Sequence, residues 1–146
     1  MVYFNLLANQ DNFKVKQKVS FEFECAKGHK PTEGGFAINF QNSHADYENI
    51  ALQVCFRAPS NLVALNTCIK KKWGTEEHIT CQNVKDLYYD KPFTLGIDVL
   101  TKNSINVYLN GQLKAGYECP VDLLKAEYMC ISECISWKKA WETIHS

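Results

Sequence analysis

Ile50-Ala51-Leu52-Gln53-Val54-Cys55-Phe56-Arg57 alternates large apolar residues with small or polar ones. A period of two is that of a β-strand, whose successive side chains point to opposite faces. Ile50, Leu52, Val54 and Phe56 are therefore expected on a core face, and Ala51, Gln53, Cys55 and Arg57 on the other. The same alternation recurs on either side, in Val19, Phe21, Phe23 and Cys25, in Phe36, Ile38 and Phe40, in Phe93, Leu95, Ile97 and Val99, and in Ile105, Val107 and Leu109. Turn residues lie between these runs at Gly34-Gly35, Pro59, Gly74, Pro92 and Asn110-Gly111. Asn-Gly tolerates the two positive φ angles of a type I′ turn, so it predicts a hairpin joining Ile105–Leu109 to 112–118. Short strands separated by turns, with almost no helical period, predict an all-β antiparallel sandwich or barrel. Helix is expected only at the margins. Pro120-Val121-Asp122-Leu123-Leu124 reads as a single turn, and Trp137, Trp141 and Ile144 have the i, i+4, i+7 spacing of an apolar helical stripe.

Composition sets the outer limits. The 146 residues, of which 46% are hydrophobic and 22% charged, suit one self-sufficient domain spanning 1–146 with a true core. Sixteen basic residues balance sixteen acidic ones. No overall field is available to hold a nucleic-acid backbone or an anionic membrane surface, so neither nucleic acid nor membrane insertion is expected. Met1 to Leu7 lacks a basic leader and is too short to span a bilayer, which predicts neither a signal peptide nor a transmembrane helix. Seven cysteines cannot all pair within one chain. With no Asn-x-Ser/Thr site, reduced thiols in a cytosolic protein are the simpler expectation than a disulfide framework. Cys130-x-x-x-Cys134 and His78 with Cys81 do not have zinc spacing, and no cysteine stands in a nucleophile setting. No metal, no other cofactor, no catalytic residue and no enzyme activity are expected.

The residues that carry chemistry lie between Ile50 and His78. Asn61 to Thr67 reads as a second strand with Val63 and Leu65 inward and Ala64 and Asn66 outward. Trp73 to Ile79 reads as a third, offering Glu76 and His78. Neighbouring strands lie about 4.8 Å apart, so Arg57, Asn66 and Glu76 are expected to converge on one patch with Trp73 at its margin. That set suits a sugar. A pyranose has an apolar C–H face that can lie on an indole and a rim of hydroxyls that need donors and acceptors in fixed directions. An Arg57–Glu76 pair would hold both side chains in place before binding. Lys70-Lys71-Lys72 reads as a solvated loop, with attraction of an anionic glycan to the rim as the alternative.

These residues resemble the galectins, the S-type lectins. Members carry His-x-Asn-x-Arg on one strand, Asn on the next and Trp-Gly-x-Glu-x-Arg on the third. This chain has Gln53-Val54-Cys55-Phe56-Arg57, then Asn66-Thr67, then Trp73-Gly74-Thr75-Glu76-Glu77-His78. The likeness extends through Gly35-Phe36-Ala37-Ile38-Asn39-Phe40, Lys91-Pro92-Phe93, Val107-Tyr108-Leu109-Asn110-Gly111 and Tyr128-Met129, covering Val19 to Ser136 and leaving 137–146 as a C-terminal segment. It implies two packed antiparallel sheets in a galectin-like jelly roll. It also implies noncovalent binding of β-galactoside-type glycans through Gln53, Arg57, Asn66, Trp73, Glu76 and His78. Homodimers and cytoplasmic residence with export independent of a signal peptide are further implications.

Three positions depart from the family pattern: Gln53 for His, Cys55 for Asn and His78 for Arg. In the family the first two, with the retained Arg, meet the axial hydroxyl that distinguishes galactose from glucose. A site built to bond a hydroxyl discriminates through the groups left unpaired when that bond is lost, and a thiol is a poor substitute for an amide. Galactose recognition is thus expected to be weakened or altered. Gln53 can restore one bond, and His78 lacks the fixed fork of Arg and carries charge only near or below about pH 6.5. The alternative function is a galectin-fold protein-interaction module that has lost sugar binding.

Overall fold

The computed structural model describes residues 2–8, 10–25, 35–44, 46–88, 91–131, 137–139 and 143–145. Two antiparallel sheets pack face to face. The first holds β1 (Val2–Asn5), β3 (Gly35–Gln41), β4 (Ile50–Arg57), β5 (Leu62–Ile69), β6 (Lys72–Trp73), β7 (Glu77–Thr80) and β11 (Tyr128–Ile131), in the order β1-β11-β3-β4-β5-β6, with β7 also on β5. The second holds β2 (Lys18–Cys25), β8 (Phe93–Thr101), β9 (Ser104–Leu109), β10 (Gln112–Glu118), β12 (Trp137–Lys139) and β13 (Thr143–His145), in the order β10-β9-β8-β2-β12, with β13 also on β2. This is the two-sheet sandwich the alternation implies. No described helix is long and apolar enough to cross a membrane.

The inward residues of both sheets meet in one core. Phe21, Phe23, Leu95, Ile97, Val107 and Leu109 come from one side, and Phe36, Ile38, Phe40, Leu52, Val54, Phe56, Val63 and Leu65 from the other. At one end Phe36 stacks on Phe56 with centroids 4.6 Å apart, and Tyr88 and Phe93 close around the pair edge-on. Offset and edge-to-face contacts of this kind add to the area that the rings bury. Thr67 Oγ1, on β5, bonds the Ala51 carbonyl at 2.8 Å and the Tyr117 hydroxyl of β10 at 2.6 Å, a polar clasp between the sheets.

Asn110 and Gly111 have φ of 50° and 80°, and β9 pairs with β10 across them, as the Asn-Gly signal predicts. A Cβ on Gly111 would touch nothing within 4 Å. Gly111→Ala therefore isolates the cost of a positive φ, and is expected to lower unfolding free energy by about 1 kcal/mol in a urea titration. A change near zero would mean that the turn relaxes.

Three local expectations need correction. The β4–β5 register steps from Ile50 opposite Cys68 to Gln53 opposite Asn66, with one extra residue on β4, so Ala51 joins the core cluster and Ile50 does not. Such a bulge reverses facing on one side of it. Trp73 to Ile79 is not one strand: β6 and β7 both pair with β5, and residues 74–76 leave the ladder between them. The helical stripe at Trp137 and Ile144 is absent. Both backbones are extended and pair with β2, whose edge offers unsatisfied donors and acceptors that outweigh the spacing. Trp141 lies outside the described residues. The turn expected at 120–124 is present a little later, as a 3₁₀ turn over Leu123–Lys125 capped by Asp122 Oδ1 on the Leu124 amide at 3.0 Å.

Candidate functional site

The site is built on the face of the first sheet turned away from the core. Register places Asn39 on β3, Gln53 on β4 and Asn66 on β5 side by side in one row across that face. Cys55 and Ala64 lie in the adjacent row, with His78 beyond Ala64. The departure of residues 74–76 from the ladder completes the arrangement. Gly74 donates its amide to the Thr67 carbonyl at 3.0 Å, and its own carbonyl accepts from Asn66 Nδ2 at 3.0 Å. Asn66 Oδ1 in turn accepts from the Thr67 amide at 2.8 Å, so the nearly buried Asn66 pins the excursion where it begins, at Gly74. A Cβ on Gly74 would come within 3.3 Å of Asn66 Oδ1, a tight approach that a glycine avoids.

Beyond Gly74 the chain turns Glu76 onto Arg57. The pair is bidentate: Arg57 Nη1 donates to Glu76 Oε1 at 2.9 Å, and Nη2 donates to Oε2. His78 Nε2 also lies 2.9 Å from Glu76 Oε1. The Arg57 guanidinium, aided by His78, holds the Glu76 carboxyl down to about 2, while the pKa of Arg57 is raised by its bonds to Glu76 and, less strongly, to Cys55. Both partners remain charged throughout the physiological range. Two planar groups locked by parallel charge-assisted bonds present fixed directions to anything that approaches.

The lowered carboxyl has a consequence for stability. Glu76 ionises near 2 when folded against an ordinary 4.5, so its pairing stabilises the fold above pH about 4.5 and that contribution fades as pH falls toward 2. The unfolding free-energy difference between wild type and Glu76→Gln is expected to be constant above about pH 5 and to shrink on acidification. A difference that grows in acid would contradict the pairing.

Trp73, at the end of β6, is 48% exposed on a sheet whose opposite face is almost sealed, so its indole is available rather than packed. Gln53, Arg57, Asn66, Trp73, Gly74 and Glu76 line one open depression of about 410 Å³. The structure thus brings together five of the six residues singled out in the sequence. His78 is not among the lining residues but meets one of them, with Nε2 2.9 Å from Glu76 Oε1. Lys70 and Lys71 form the tight turn between β5 and β6, with φ of 51° and 69°, and Lys71 Nζ reaches Glu48 Oε1 at 3.3 Å. No group of three or more His, Cys, Asp or Glu among the described residues is arranged to hold a metal ion.

Two residues of the site escaped the sequence reading. Gly74 carries a carbonyl to Asn66, which only the broken strand reveals. Asn39, 2% exposed, accepts a bond from Gln53 Nε2 at 3.0 Å. Its signal was present: Asn39 is the polar residue between Ile38 and Phe40, on the same face as Gln53.

Comparison with known proteins agrees with this fold. Residues 4–137 match the model of the galactoside-binding lectin family. No curated protein matches the chain in sequence. Among solved structures the fold is similar to sheep galectin-11 in complex with glycerol (TM-score 0.71, 15% identity, 98% of this chain and 96% of that one). It is also similar to chicken galectin 2 (0.71, 14%, 99% and 98%) and to the Caenorhabditis elegans galectin LEC-6 (0.72, 14%, 98% and 89%). At these identities the solved structures speak for the fold, and the family model, spanning nearly the whole chain, speaks for descent: the chain belongs to the galactoside-binding lectins, the galectins.

Proposed function

We propose that this protein binds glycans of the β-galactoside type, noncovalently and without metal or catalysis, at the depression lined by Gln53, Arg57, Asn66, Trp73 and Glu76, with weakened or altered preference for galactose. The observation that carries the reading is the bidentate Arg57–Glu76 pair beside an exposed indole around one open hollow. The indole offers an apolar platform to a pyranose C–H face. The locked guanidinium and carboxylate offer donors and acceptors that pay little ordering entropy on binding. Gln53 and Cys55, where the family has His and Asn, change the groups that would meet an axial hydroxyl. A single shallow hollow of this kind supports affinities of about millimolar to micromolar, so high avidity would require two sites, as in a homodimer.

Retention on immobilised lactose together with a glycan array tests this reading. Wild type is expected to give signal on at least one galactoside. Trp73→Ala is expected to reduce it by at least about tenfold through loss of the stacking face. Silence of wild type on every glycan would favour the protein-interaction module, and signal unchanged in Trp73→Ala would move the binding surface elsewhere.

A further inference from the structure

Two hairpins of this fold turn through two residues of positive φ. Asn110 and Gly111 join Leu109 to Gln112 with φ of 50° and 80°, and Lys70 and Lys71 join Ile69 to Lys72 with φ of 51° and 69°. The demand on the backbone is the same, since a type I′ turn needs the left-handed region at both central positions. The residues are not. Asn and Gly enter that region readily, whereas a lysine there brings its Cβ too close to the following carbonyl oxygen. Conformations of this kind persist where the surroundings impose them.

At Lys70 and Lys71 the surroundings are residues 46–49. Asn49 Oδ1 accepts from the Lys70 amide at 3.0 Å, and the Glu48 carbonyl accepts from the Lys71 amide at 2.9 Å. The Glu48 carbonyl also accepts from Cys68 Sγ at 3.4 Å, which ties the same loop to β5. Asp46 orders the loop in its turn: Oδ1 accepts from the Glu48 and Asn49 amides, each at 3.0 Å, and Oδ2 accepts from Asn49 Nδ2 at 3.2 Å. The Asn49 carboxamide is therefore directed from both ends. The backbone N–H of Lys70 requires its oxygen, and the carboxylate of Asp46 requires its nitrogen. The ion pair of Lys71 with Glu48 is exposed on both sides and adds little to this grip.

What the turn carries is Trp73. In β6 Lys72 pairs with Ile69 and Trp73 with Cys68, and the chain then leaves the ladder at Gly74. The half-exposed indole thus projects from a two-residue strand, between a turn gripped by 46–49 and a departure gripped by Asn66. Asn66 lines the hollow; Asn49 does not.

We propose that Asn49, oriented by Asp46, is a positioning residue that holds Lys70 and Lys71 in the left-handed region and thereby sets the Trp73 indole at the margin of the hollow. This rests on the lectin reading and deepens it, by making the glycan platform depend on a residue outside the hollow.

The test has two readouts on the full chain: calorimetric titration with lactose, and the heteronuclear NOE of the Trp73 indole N–H in ligand-free ¹⁵N-labelled protein. Asn49→Ala is expected to weaken lactose binding about tenfold and to lower that NOE, as the turn escapes to conformations lysine prefers. Lys70→Asn with Lys71→Gly makes a turn that holds its own shape. It is expected to stay within about twofold of wild-type affinity and, combined with Asn49→Ala, to restore both affinity and NOE. A loss with any other cause would not be rescued by a change of turn residues.

An unchanged Trp73 NOE in a folded Asn49→Ala protein overturns the inference, as does unchanged affinity for lactose, or a loss that the Asn-Gly turn fails to restore. Weaker binding by Lys70→Asn with Lys71→Gly alone would assign the lysines to the ligand and overturn it as well. If Asn49→Ala does not fold, the triple variant decides: folding with wild-type affinity upholds the inference, and failure to fold overturns it. If wild type binds neither lactose nor any glycan on an array, the lectin reading falls, and the NOE of the ligand-free variants still decides for or against Asn49 as the residue that sets Trp73.

Discussion

Glu76→Ala is expected to reduce glycan binding by at least about a hundredfold, to the point where the protein no longer lags on a lactose column. The carboxylate holds both terminal nitrogens of Arg57 and also engages His78. Its removal frees a long cationic side chain at the centre of the hollow and deletes the charged acceptor next to it. Bonds to charged groups contribute about 1.5–3 kcal/mol each. Losing one such contact to the ligand, along with the preorganisation of Arg57, amounts to two orders of magnitude or more. The fold should survive, because residues 74–76 lie outside the ladder and the Glu76 side chain is 30% exposed. A thermal midpoint within a few degrees of wild type, alongside lost retention, is the expected combination. Retention unchanged in a folded Glu76→Ala protein would remove the ion pair from the account.

The largest expected loss of stability lies one residue from that pair. Phe56 is 1% exposed and stacks on Phe36, with Tyr88 and Phe93 set edge-on to it. Phe56→Ala empties the middle of this cluster and is expected to cost about 3–5 kcal/mol, read as a lowered midpoint in urea denaturation. Its neighbour Arg57 lines the hollow, so the same change is expected to weaken binding by loosening β4 beneath Arg57. A loss below about 1 kcal/mol would mean that the cavity closes by collapse of the surrounding rings.

Much of this was legible in the sequence because the deciding signals are local. Phe21 and Phe23, Ile38 and Phe40, Leu95 and Ile97 alternate strictly, and each lies in the core. Asn110-Gly111 specifies its own turn through the φ angles that the two residues tolerate. Arg57, Asn66, Trp73 and Glu76 could be assigned to one patch once the strands were placed in order. The errors share a different cause: each depends on what lies across a strand rather than along it. Ala51 faces the core because β5 opposes two residues of β4 with one, a fact of pairing that the composition of β4 does not contain. The chain leaves the ladder at Gly74 because Asn66 captures its carbonyl. The spacing of Trp137 and Ile144 is helical, yet the edge of β2 provides backbone partners for extended chain. The bond between Gln53 and Asn39 likewise needs the β3–β4 register before it can be seen.

Titration of the ¹⁵N-labelled protein with lactose, followed by amide, indole and guanidinium resonances, tests the central claim most directly. Binding at the Arg57–Glu76 hollow predicts that the Trp73 indole N–H, the Arg57 Nε–H and the side-chain amides of Gln53 and Asn66 move together along one saturable curve, while Tyr108 and Asn106 on the other sheet stay still. Movement centred on that second sheet, or saturation that leaves the Trp73 indole and Arg57 Nε–H unmoved, would contradict it.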